Sequence, residues 1–81
     1  MPTLLRAGPY RFFIFMLDCV EPAHVHVDGN DGVARVWLRP VSLATSVGYS
    51  PREINRIRAI VVRDRVELIR RFDDVCQRVR P

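Results

Sequence analysis

A chain of 81 residues, 48% hydrophobic and 27% charged, suffices for one domain, 1–81, and is too apolar to be disordered. Domains this small hide only about 60% of their unfolded surface, so the core must be thin. Thirteen arginines and no lysine give a net charge of +4, all of it in residues 51–80, where nine arginines face five acids. The longest apolar run, FFIFML, is too short for a signal core or a membrane span, so we expect no membrane partner and a cytoplasmic location.

In chain order, Gly8-Pro9 breaks the chain, and residues 10–17, YRFFIFML, read as a first strand. Both of its faces are apolar, as in a central strand or one with a face left for a partner. Glu21-Pro22 closes it. Residues 24–28, HVHVD, alternate strictly and read as a second strand, with turn chemistry at Gly29–Gly32. Residues 33–39, VARVWLR, alternate again, and Pro40 ends this third strand.

With Gly29–Gly32 as the loop, Asp28 opposes Val33, His26 opposes Arg35, and His24 opposes Trp37. One face then carries His24, His26, Asp28, Arg35, Trp37 and Arg39. The other carries Val25, Val27, Ala34, Val36 and Leu38 and is the expected core side.

Residues 42–47, SLATSV, read as a short helix stopped by Gly48. Ser50 then offers a cap, Pro51 suits the first helical position, and Glu53 completes a capping box. This last helix is expected to run to about Arg78, with Ile54, Ile57, Val61, Leu68, Val75 and Val79 near one stripe. Val62, Val66, Ile69 and Cys76 widen the apolar face. The expected fold is α+β: a three-stranded antiparallel sheet followed by a short helix and a long C-terminal helix (β-β-β-α-α). Cys19 and Cys76 read as two small apolar residues; a disulfide is the alternative, which the sequence does not place.

His24 and His26, the only histidines, point the same way from one strand. Paired imidazoles with Arg35 and Arg39 suit acid–base cleavage of a phosphodiester. H-x-H-x-D offers two nitrogens and a carboxylate to a metal such as zinc. Histidine, tryptophan and arginine on one face make a stacking platform for single-stranded nucleic acid. The plain alternative is a solvated polar face. A second motif, LATSVGYSPREINRI at 43–57, has the small-residue and glycine spacing of a helix-turn-helix, which would carry Arg52, Asn55, Arg56 and Arg58 toward DNA; an ordinary corner between helices is the alternative.

The segments MPTLLRAGPYRFFIF, EPAHVHVDG and ARVWLRPVSLATSVGYSPREI, with the charged closing helix, resemble a family of small bacterial proteins catalogued as domain of unknown function 4160. The resemblance spans nearly the whole chain; Ala23 stands where relatives usually have a second proline. It implies a compact β-β-β-α arrangement, a neighbouring gene for another small domain of unknown function, and a toxin–antitoxin-like pairing. The family's histidine pair maps onto His24 and His26.

Together these readings give a toxin-like component of a two-gene module that contacts RNA. His24 and His26 serve as acid and base of a metal-independent ribonuclease; Arg35, Trp37, Arg39 and Asp28 contact nucleic acid. No metal or cofactor is expected. The partners are RNA, or DNA in its place, and a cognate small protein from the neighbouring gene, in a homodimer or heterodimer. The alternative is a non-catalytic interaction module, or a regulatory DNA-binding module using Ser50–Arg58.

Overall fold

The computed structural model describes residues 1–79. Five strands, β1 (Thr3–Ala7), β2 (Tyr10–Phe13), β3 (His24–Gly29), β4 (Gly32–Leu38) and β5 (Val41–Val47), form one antiparallel sheet in sequential order. Helices α1 (Pro51–Arg63) and α2 (Arg65–Gln77) follow. The expectation of three strands is therefore corrected to five, within the same α+β class.

The added strands lie at the two edges. β1 pairs with β2 through a two-residue Gly8-Pro9 turn, with Gly8 at φ 57°. β5 occupies the segment read as a short helix. Its side chains alternate in exposure and it pairs with β4 along its length, so cross-strand pairing overrides the weak helical preference of SLATSV. A strand at 41–47 also removes the first helix of the proposed helix-turn-helix.

The first expected strand is shorter than read. β2 stops at Phe13, Ile14 donates its N–H to the Pro2 carbonyl, and Met16–Val20 turn back as a 3-10 helix. Asp18 holds the reversal by accepting the Phe15 N–H at 2.8 Å. Phe15, Met16 and Leu17 consequently lie exposed beyond the strand.

The β3–β4 register is as expected: His24 faces Trp37, His26 faces Arg35 and Asp28 faces Val33. Asn30 and Asp31 form the turn, both at positive φ (55° and 68°), the pattern of a type I′ hairpin. Val25, Val27, Ala34, Val36 and Leu38 are all buried, in one cluster with Leu4, Tyr10, Phe12, Ile14 and the helical residues Ile57, Val61, Leu68, Phe72 and Cys76.

One long helix was expected; two form. The break at Asp64 (φ −106°, ψ 18°) lets Ile57 and Val61, then Leu68, Phe72 and Cys76, each meet the sheet at four-residue spacing. Val62 and Val66, from the second apolar set, stay exposed. Ser50 caps α1 by accepting the Glu53 N–H. The Glu53 carboxylate does not close a capping box; it accepts from the Tyr10 hydroxyl and the Asn30 amide instead, tying α1 to the hairpin.

Cys19 and Cys76 are not separate apolar residues. They form a disulfide, with Cα atoms 5.3 Å apart, that joins the 3-10 turn to α2. No helix is long and apolar enough to cross a membrane among the described residues.

Candidate functional site on the open sheet face

Strict alternation in β3 and β4 sends every second side chain away from the helices. That outer face carries Arg11 and Phe13 from β2, His24, His26 and Asp28 from β3, and Val33, Arg35 and Trp37 from β4, by their register. The core cluster packs on the opposite face, and only at the start of β3 does it reach the outer one, where Phe72 of α2 lies 6.1 Å from the His24 ring.

The outer face has two chemically different ends. At the open end, Arg11 binds Asp28 through two hydrogen bonds, of 3.3 and 2.9 Å, and lies 4.3 Å from the Phe13 ring centroid. Asp28 is thus committed to Arg11 and does not join the histidines. Between the two ends, opposite His26, Arg35 lies 5.2 Å from the ring centroid of Trp37, which pairs with His24, and its Nε is buried without a hydrogen-bond partner among the described residues. No carboxylate pairs with Arg35 among the described residues. Arg39 sits outside the strand in the β4–β5 turn, exposed, before a cis bond to Pro40.

At the other end the 3-10 turn covers the start of β3. His24 and His26 are brought together there, with ring centroids 5.3 Å apart. Their environments differ. The His26 side chain is 22% exposed, and its Nε2 hydrogen-bonds Asp18 Oδ2 at 2.9 Å. The His24 side chain is 0% exposed. Its Nδ1 donates to the Pro22 carbonyl at 2.9 Å, and its Nε2 lies 3.3 Å from Asp18 Oδ1 and 3.8 Å from Glu21 Oε1. Of the two histidines, only His26 presents a surface to a polymer lying on the sheet; the His24 side chain is enclosed.

Asp18 is the residue that sequence reasoning missed. It precedes His26 by eight positions and reaches it only because the chain reverses after Phe15. The available signal was an acid that ends an apolar run just before the histidine strand. Asp18, His24 and His26 place one donor atom each within 4.8 Å of one another. Four aromatic rings wall the cluster. Phe13 and Phe15 lie 5.6 and 4.8 Å from His26, and Trp37 and Phe72 lie 5.1 and 6.1 Å from His24.

No curated protein and no solved structure matches the chain. The family described as "Domain of unknown function (DUF4160)" matches residues 10–73, a span from the first residue of β2 to within α2 that holds Asp18, both histidines, Arg35 and Trp37. The chain belongs to this DUF4160 family.

Proposed function

We propose that the chain binds single-stranded RNA on the outer face of its sheet, as one component of a two-gene module. The observation that carries this reading is Arg35, which lies against Trp37 with no carboxylate partner among the described residues, on the face opposite the core cluster. An arginine beside an indole is suited to a phosphate next to a stacked base. His26 and Phe13, stacked at 5.6 Å, continue the aromatic surface. The reading is one of binding, not cleavage, because His24 is enclosed. A toxin-like role would then act by occupying RNA.

Trp37 is the only tryptophan, so its fluorescence reports on this face alone. Titration with a short single-stranded oligoribonucleotide at low salt should quench it. Trp37→Ala, followed with a labelled RNA, should weaken binding by about 1–3 kcal/mol, the usual cost of a lost base–aromatic stack. Arg35→Ala should make the plot of log affinity against log salt shallower by about 0.7 for one lost phosphate contact. A wild type whose fluorescence ignores RNA at low salt ends the proposal.

A second reading rests on Phe15, Met16, Leu17 and Val20, which are 42%, 48%, 83% and 88% exposed in one short segment. This apolar strip suits a protein partner, such as the cognate small protein of the module. Affinity at such a surface should hardly change with salt, in contrast to RNA binding.

A further inference from the structure

We infer that Asp18, His24 and His26 form a binding site for one divalent transition metal, Zn2+ being the ion that fits best, with Glu21 the nearest fourth donor. The His24 ring is held in one tautomer. A carbonyl oxygen only accepts, so His24 Nδ1, 2.9 Å from the Pro22 carbonyl, carries the proton. In the neutral ring this leaves a lone pair on Nε2, which is buried and has no hydrogen-bond partner among the described residues. The group facing it is the Asp18 carboxylate at 3.3 Å, within ion-pair distance but not aligned as a hydrogen bond. Two acceptors thus confront each other where side-chain exposure is 0% and 12%. A cation between them removes the conflict.

The donor set suits zinc, and its spacing is within reach of side-chain adjustment. Zinc takes imidazole nitrogens and carboxylate oxygens at about 2.0–2.2 Å in tetrahedral geometry, which places neighbouring donors about 3.3 Å apart. His24 Nε2 lies 3.3 Å from Asp18 Oδ1 and His26 Nε2 2.9 Å from Asp18 Oδ2, and the three donor atoms fall within 4.8 Å of one another. An ion therefore draws them closer together and replaces the His26–Asp18 hydrogen bond, the His26 proton moving to Nδ1. Glu21 Oε1, 3.8 Å from His24 Nε2 on a half-exposed side chain, is the candidate fourth donor. The supports of a metal site are present as well. The Pro22 carbonyl fixes the His24 ring, and the Phe15 N–H fixes the Asp18 carboxylate. Both cysteine sulfurs are engaged with each other, so the ligands are nitrogen and oxygen alone.

The test uses the full chain, oxidised, stripped with a chelator that is then removed, and titrated with Zn2+ alone against a chromophoric competitor. Wild type should take up one equivalent, and its melting temperature should rise with added zinc. Asp18→Asn keeps the side-chain shape, and His26→Ala alters a partly exposed position; circular dichroism checks that both fold. Each should bind zinc about 100-fold more weakly or worse, with no zinc-dependent rise in melting temperature. Wild type that takes up no zinc overturns the inference. So does one equivalent whose affinity is the same in both variants, which places the ion elsewhere. A fall in melting temperature in both variants, alike with and without zinc, while wild type ignores zinc, makes the cluster a structural hydrogen-bond network and overturns it too.

Discussion

Replacing Cys19 and Cys76 together by alanine removes the covalent link between the 3-10 turn and α2. The bridge spans 57 residues of an 81-residue chain. Closing a loop of that length withdraws about 14 cal/mol/K of entropy from the unfolded chain, or about 4 kcal/mol at room temperature. A folded domain of this size holds only about 4–12 kcal/mol in total, so the loss is a third of the stability or more. Urea unfolding, at a slope of about 1 kcal/mol/M, should show the midpoint falling by about 3–4 M, or no folded baseline at all. A local consequence should accompany the global one. The Phe15 N–H, bonded to Asp18 beside the bridge, should exchange with solvent faster once the bridge is gone. Equal midpoints for the unreduced wild type and the double variant would refute the reasoning. Two free thiols titrating in unreduced, unfolded wild type would refute the bridge itself.

Three further outcomes are expected. Gly29→Ala should cost more than about 2 kcal/mol, because its Cβ would lie 2.0 Å from the Pro9 carbonyl oxygen at φ 114°; Gly8→Ala, with positive φ but open space, should cost about 1 kcal/mol, and equal melting temperatures would sink the steric argument. Tyr49 is pushed up to about 12, first by burial and then by Tyr10, Asp28 and Glu53, so the folded chain holds the phenolic proton longer than the unfolded one does. Its contribution is complete below about pH 10 and is lost as pH rises toward 12; Tyr49→Phe should flatten stability across that window, and an unchanged alkaline limb would count against the assignment. Glu53→Ala should cost about 1–2 kcal/mol in chemical denaturation by leaving the Tyr10 hydroxyl and the Asn30 amide without their shared acceptor; no loss would mean that water replaces it.

The β3–β4 hairpin was legible because its two faces contrast so sharply: a one-residue slip would bury Arg35 and expose Val36. The cap at Ser50 was legible because its signal is local. The edge strands were not. TLLRA is short and without clear alternation, and only the Gly8-Pro9 turn hinted at a hairpin. SLATSV holds good helix formers among β-branched residues, and its state was decided by an unpaired β4 edge that no local window contains. The site was half legible. H-x-H-x-D correctly marked two side chains on one face, yet Asp28 was claimed by Arg11 from the neighbouring strand, and the carboxylate that reaches the histidines comes from a chain reversal. Cross-strand neighbours and reversals are tertiary facts, and a spacing motif contains neither.

The position of His24 on the outer face raises a question that packing does not answer. β2 ends opposite His26, and the 3-10 turn closes over the start of β3 beyond it. A covered position of this kind asks for an apolar side chain, and leucine has nearly the volume of histidine. Histidine instead brings two polar nitrogens, one satisfied by the Pro22 carbonyl and one facing a carboxylate without alignment. Losing one partner of a buried pair is costly only where the other stays buried, and Pro22 is exposed, so water can replace the imidazole at its carbonyl. His24→Leu should therefore fold with a stability within about 1 kcal/mol of metal-free wild type, because Asp18 keeps the Phe15 N–H and His26 as partners. It should at the same time lose zinc uptake. Denaturation without metal and zinc titration of the same preparation separate the two roles. A loss of several kcal/mol without metal would make His24 a structural residue whose bond to the Pro22 carbonyl shapes the strand entry. Retained stability with lost uptake would place the reason for a histidine at this position in the ligand rather than in the fold.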